Sequence, residues 1–185
     1  MLFRNTVYGC KVIAFRCKKV FLTKIKQMAF TFDYALKITY KTRVILKNYL
    51  ETISLEDLNK IPQGYNNTIF WNIAHLVATQ QILVYKFSNV PVLVSEEIID
   101  KYRKGTKPEA DASQAEVDEI KELLFTTLDQ TAKDYEAGVF KTYNTITTSM
   151  DSTLSNVEEA ISYNNFHEGI HLGSVLALRH AIGLV

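Results

Sequence analysis

The stretch Asn164-Asn165-Phe166-His167-Glu168-Gly169-Ile170-His171-Leu172-Gly173 decides the reading of this chain. His167 and His171 stand four residues apart, so on an α-helix both imidazoles leave one face, a turn apart. That is the spacing of a two-histidine metal clamp. It also matches the H-E-x-x-H pattern of zinc peptidases, in which the glutamate between the ligands is the general base. A peptidase of that kind usually takes its third ligand from downstream. Here only Leu172 to Val185 follow, with no Asp or Glu among them. His180 is the sole downstream histidine, and at about 100° per residue it turns to the face opposite His171. The third ligand is therefore expected from upstream, where a single histidine exists: His75, in Phe70-Trp71-Asn72-Ile73-Ala74-His75-Leu76.

Three neutral imidazoles suit a borderline divalent ion, zinc or nickel first, and leave coordination positions open, as a reactive site does and a closed structural site does not. The competing reading is a hydrogen-bonded core histidine beside an accidental pair on an exposed helix. The residues around the pair argue against it. Ala160, Asn164, His167, His171, Ser174 and Leu178 share one face, flanked by Val157, Ile161, Val175 and Leu176. A buried polar group left unpaired costs about 1–3 kcal/mol, so a purely structural helix seldom carries Asn, His, His and Ser along its inner seam. The capping-box spacing Ser155…Glu158 opens this last helix and Gly183 closes it after Ile182.

Working toward the N-terminus, Phe140 to Thr153 is rich in Thr and Tyr and is expected to be an extended, strand-like arm across the end of a bundle. A third long helix runs from the capping box Ser113…Glu116 to about Glu136, with Val117, Ile120, Leu124, Leu128 and Thr131 inward and Gly138 as its stop. Ser95 caps a short surface helix reaching Tyr102. The second long helix, about Thr68 to Phe87, carries Ile69, Ile73, Leu76, Gln80, Leu83 and Phe87 as its apolar stripe. His75 lies beside that stripe, with Trp71, Asn72 and Thr79 one turn away. The first, about Phe30 to Ile53, has neither Gly nor Pro and spaces Phe32, Leu36, Ile38, Val44, Ile45, Tyr49 and Leu50 helically. Ser54-Leu55-Glu56-Asp57 reads as a short capped turn.

A chain of 185 residues with 47% hydrophobic content, three prolines and seven glycines reads as one helix-rich domain. Cys10 and Cys17 are its two cysteines, so no disulfide framework spans the body, which fits a reducing cytoplasm. The net charge of +1 conceals an asymmetry, because residues 1–27 carry seven basic residues and no acid while the remainder holds 14 basic against 20 acidic. An acidic body argues against a nucleic-acid surface, which needs clustered Lys and Arg. The basic charges interrupt every apolar run a signal peptide would need. Residues 1–27 are read as an extension outside the domain, with an organelle transit segment as the other reading, and residues 28–185 as the domain. No site is expected in the extension.

A helix with its histidine in the context WNIAHL, a long connection through a third helix and a last helix carrying HEGIHLG together resemble the DinB-like superfamily, from about Phe30 to Ile182. The resemblance implies an all-α four-helix bundle with three inward histidines, here His75, His167 and His171, holding one divalent metal at one end. It also implies metal-dependent S-transferases or isomerases that use low-molecular-weight thiols in detoxification or stress responses, and a homodimer. A non-catalytic metal-stabilised or ligand-binding bundle is the alternative. A small-molecule substrate is expected, with neither a nucleic acid nor a membrane as partner, in the cytoplasm. Asn72 and Asn164, a turn or less from the histidines, are the expected hydrogen-bonding supports of the ligands. Trp71, Thr79 and Tyr85 are the expected pocket walls. Glu168 points about 100° from His167, which leaves it a weak catalytic candidate, a support for an imidazole, or a packing residue.

Overall fold

The computed structural model of the chain describes residues 32–184, so the expectations for residues 1–27 lie outside the described residues. Four long helices make the frame: α1 (Phe32–Thr52), α3 (Ile69–Gln80), α5 (Gln114–Glu136) and α6 (Val157–Ala181). Two short ones, α2 (Leu55–Asn59) and α4 (Glu96–Tyr102), fill the connections on either side of α3. Each of α1 and α3 packs against both α5 and α6, which closes a four-membered ring of helices. The all-α four-helix bundle that the resemblance implies is the fold observed.

The boundaries follow from caps. The side chains of Ser54, Thr68, Ser95 and Ser113 each accept a hydrogen bond from the backbone N–H three residues on, satisfying a donor the helix leaves orphaned. The last helix begins one residue later than its expected capping box. Asn156, not Ser155, is the cap and accepts from Glu159 N–H, while the Glu159 carboxylate accepts from Ser155 N–H. Ser155 directly follows a strand, and Asn156 is the first residue free to turn the chain. Gly138 and Gly183, at φ +64° and +82°, supply the left-handed positions that end α5 and α6.

The α3 helix is the centre of the molecule. Of its twelve residues only Thr79 escapes burial. Its axis does not stop at Gln80: Gln81–Tyr85 widen into a π-turn and Lys86–Ser88 tighten into a 3₁₀ turn, before Asn89 reverses the chain at φ +58°. The expected helix to Phe87 is thus one continuous rod with a local change of pitch. The α5 seam is as read, with Val117, Ile120, Leu124, Leu128 and Thr131 all buried and Thr127 beside them.

The first long helix is present as read. Ile38, Val44 and Ile45 face outward, and the buried seam is Ala35, Thr39, Arg43, Leu46 and Leu50. Apolar content alone would rotate the helix the other way. Burying Arg43 turns it, because Arg43 has a partner inside the bundle, described below. The expected extended arm is a small antiparallel hairpin, β1 (Ile146–Thr147) with β2 (Thr153–Leu154), paired Ile146 to Leu154 and Thr147 to Thr153. Among the described residues no helix is long and apolar enough to cross a membrane.

Candidate metal centre

His75 projects from α3, and His167 and His171 from α6, the helix α3 packs against. One nitrogen from each ring lies within 4.8 Å of the others. Ring centroids are 4.6 Å apart for His167–His171, 4.6 Å for His75–His171 and 5.2 Å for His75–His167. Small side-chain rotations would bring such a set around one ion at the 2.0–2.1 Å expected of zinc–imidazole bonds.

The tautomers can be worked out from the partners. His75 Nδ1–H donates to the Tyr102 carbonyl at 2.6 Å, leaving the Nε2 lone pair free. Asn72 Nδ2 donates to the Thr68 carbonyl, which aims Asn72 Oδ1 at His171, and His171 Nδ1–H donates to that oxygen at 2.8 Å. His171 Nε2 is thereby free as well. His167 Nδ1 is buried and has no hydrogen-bond partner among the described residues. Two rings whose Nδ1 atoms are held as donors, beside a third whose Nδ1 has no partner among the described residues, leave ring nitrogens free for a metal.

Burial reinforces this. It lowers the pKa of all three rings, that of His167 to about 3 and that of His171 to about 4, with the neighbouring imidazoles adding to the shift of both. Desolvation disfavours the imidazolium, so at neutral pH all three rings are uncharged and able to bind a cation.

The histidines lie against a cavity of about 490 Å³. Trp71 and Thr79 line it, and Trp71 stacks on His75 with centroids 4.7 Å apart and planes 11° from parallel. The remaining wall is mostly apolar: Ile82, Leu83 and Phe87 from the rod beyond α3, Ile146 and Met150 from the hairpin, Tyr163 and Ile170 from α6. Lys104 stands among the lining residues, and none of them is Asp or Glu. A second cavity, of about 540 Å³, lies between α4 and the loop before α5 and holds no histidine.

Three expected site residues sit elsewhere. Tyr85 does not line the cavity: it is fully buried, and its hydroxyl donates to Asp134 at 2.7 Å on the α5 side. A π-turn has more residues per turn than an α-helix, so the rotation falls behind by a fraction of a turn, which turns Tyr85 away from the cavity and Leu83 toward it. Asn164 hydrogen-bonds to Glu168 at 3.1 Å, not to a histidine. Glu168 itself points away from the cavity. Its Oε1 accepts from Arg43 Nε at 3.0 Å and Nη2 at 2.8 Å, with both residues at most 1% exposed. Burial pushes its carboxyl up from the ordinary value while Arg43 and Asn164 pull the other way. It is a packing and pairing group of the bundle core, and the general-base role suggested by H-E-x-x-H has no geometry here.

Two contributors escape a sequence reading. Tyr102 acts on His75 through its backbone carbonyl, for which no side-chain signal exists. Arg43 does leave a trace, as a basic residue at helical spacing within the series Ala35, Thr39, Leu46, Leu50.

A search of curated proteins finds no match. A family model, that of the DinB superfamily, matches residues 38–175, a span that includes all three histidines and all four long helices in whole or part. With that match over most of its length, the chain belongs to the DinB superfamily.

Proposed function

We propose that this protein is a metal-dependent enzyme that transfers a low-molecular-weight thiol to a small electrophile, with His75, His167 and His171 holding one divalent ion, zinc or nickel. The observation carrying this reading is the convergence of three neutral imidazoles, without a fourth protein ligand among the described residues, on a mostly apolar cavity. A divalent ion held there supplies an open position at which the pKa of a thiol or water falls toward neutrality. Transfer forms a sulfur–carbon bond as the carbon–leaving group bond breaks, with the thiol proton passing to solvent. Tyr102 and Asn72 keep the His75 and His171 rings in the tautomer that presents Nε2. The apolar wall excludes water from the reacting carbon, and Lys104 offers a positive charge to an anionic end of the thiol or substrate.

A non-catalytic metal-binding bundle is the second reading. It is favoured by the absence of any carboxylate from the cavity lining, which leaves no carboxylate general base there. Turnover separates the two. Zinc- and nickel-loaded protein would be incubated with cysteine, glutathione or 2-mercaptoethanol and an aryl or alkyl halide, and the thioether product measured. Metal-dependent product formation, lost in His167→Ala, supports transfer. Stoichiometric metal binding with no product from any pair favours the binding module.

A further inference from the structure

We infer that the Thr79 hydroxyl positions the thiol or water that enters beside His75, an inference that rests on the metal-dependent reading above. Seven threonines lie within the described helices. Six of them, Thr39, Thr42, Thr52, Thr126, Thr127 and Thr131, turn Oγ1 back to the carbonyl four residues earlier. That is the usual resting place of a helical hydroxyl. Thr79 departs from it. Its Oγ1 stands 3.2 Å from His75 Nε2 and 3.5 Å from Nδ1, and it is the one residue of α3 that is not buried.

Among the described residues, the proton of that hydroxyl has no lasting acceptor. His75 Nδ1 already donates to Tyr102, so it accepts nothing. Nε2 is the nitrogen a metal would take. Near-equal distances to both nitrogens place the oxygen against the ring, not along the in-plane lone pair of Nε2, so Thr79 does not block that lone pair. Once a metal occupies it, Thr79 is a donor on a rigid helix beside the open position, facing the cavity. Of the hairpin hydroxyls that share the cavity, Thr147 pairs with Thr153 and Thr148 accepts from the Met150 and Ser152 N–H groups, and both sit on the hairpin and not on the helix that carries His75. A hydrogen bond from Thr79 to an anionic sulfur or oxygen would hold the entering ligand and fix its direction.

The test uses the cobalt(II)-loaded full chain, whose visible absorption reports ligand exchange, titrated with 2-mercaptoethanol; cobalt and zinc affinities are measured separately by chelator competition. Thr79→Val keeps the shape and removes the hydroxyl. It is expected to bind both metals within about threefold of wild type and 2-mercaptoethanol about tenfold more weakly, the size of one hydrogen bond to a charged group. Thr79→Ser is expected to restore thiol affinity. Equal thiol affinity in wild type and Thr79→Val overturns the inference. So does a parallel loss of metal and thiol affinity in Thr79→Val, which would make the side chain a prop for the His75 ring. If wild type takes up no cobalt or zinc, the metal-dependent reading itself falls and this inference with it.

Discussion

The guanidinium of Arg43, on α1, and the carboxylate of Glu168, on α6, meet at 2.8 Å in a buried ion pair one residue from His167. Arg43 also donates to the Leu124 carbonyl and to Thr127 Oγ1 on α5, so three of the four long helices are tied at one point. The H-E-x-x-H glutamate is therefore a structural clamp that faces the bundle core while its histidine neighbours face the cavity.

Removing one partner of a buried pair strands the other as an uncompensated charge, at roughly 3–5 kcal/mol. Arg43→Met should lower unfolding stability by about that amount in urea melts, and Glu168→Gln by somewhat less, since an amide still accepts one bond. The double variant Arg43→Met, Glu168→Met should recover much of the loss, because an apolar pair leaves no unpaired charge. Metal content per folded chain should survive in Glu168→Gln. Complete loss of bound metal in a folded Glu168→Gln protein would mean that the carboxylate reaches the metal centre after all.

Metal content tests the histidine set directly. Wild type is expected to hold about one divalent ion per chain by elemental analysis, and His75→Ala, His167→Ala and His171→Ala each far less. His180→Ala is the control, since His180 is exposed on the far side of α6. Saturating zinc at about 100 times the dissociation constant should add roughly 2.7 kcal/mol to wild-type stability and nothing to His167→Ala.

Asn72 should matter to the metal without touching it. Its Oδ1 fixes the His171 tautomer, and supports of this kind change metal affinity by about 10–100-fold. Asn72→Leu is expected to fall in that range by chelator competition. Asn164→Leu should weaken the fold through Glu168 and leave metal affinity nearly unchanged, because its hydrogen bond goes to Glu168.

The metal-free protein should lose stability on mild acidification. His167 and His171 have folded-state pKa values lowered to about 3 and about 4, against 6.5 for the unfolded chain. Below pH 6.5 the unfolded state takes up protons that the folded state refuses, so stability falls with pH. The decline should run from about pH 6.5 down to about 3, amounting to roughly 2–4 kcal/mol after allowance for the partial exposure of both rings. Urea midpoints between pH 7.5 and 4 check this. A His167→Phe, His171→Phe variant should show a flatter profile; an unchanged slope would assign the acid sensitivity to other groups.

Tyr85→Phe should cost the fold about 1 kcal/mol, the value of its bond to Asp134, and leave metal binding as in wild type. Any large change in metal affinity would bring Tyr85 back to the cavity.

The helices, their caps and the paired histidines were legible in the residues because each depends on neighbours within four positions. Ser113 accepts from the N–H of Glu116, and His167 and His171 share a face, whatever the rest of the chain does. His75 was reachable by elimination among four histidines. The contacts that give these residues their roles join positions far apart in sequence. Glu168 meets Arg43 across 125 residues and His171 meets Asn72 across 99. Such meetings depend on how each helix is rotated about its axis, which the whole core settles by packing. Hence α1 turned its Arg43 inward against its own apolar count, the π-turn moved Tyr85 out of the cavity and Leu83 into it, and a backbone carbonyl from α4 became the support of His75. Local chemistry specified which side chains can bind a metal; the packing of four helices specified which of them meet.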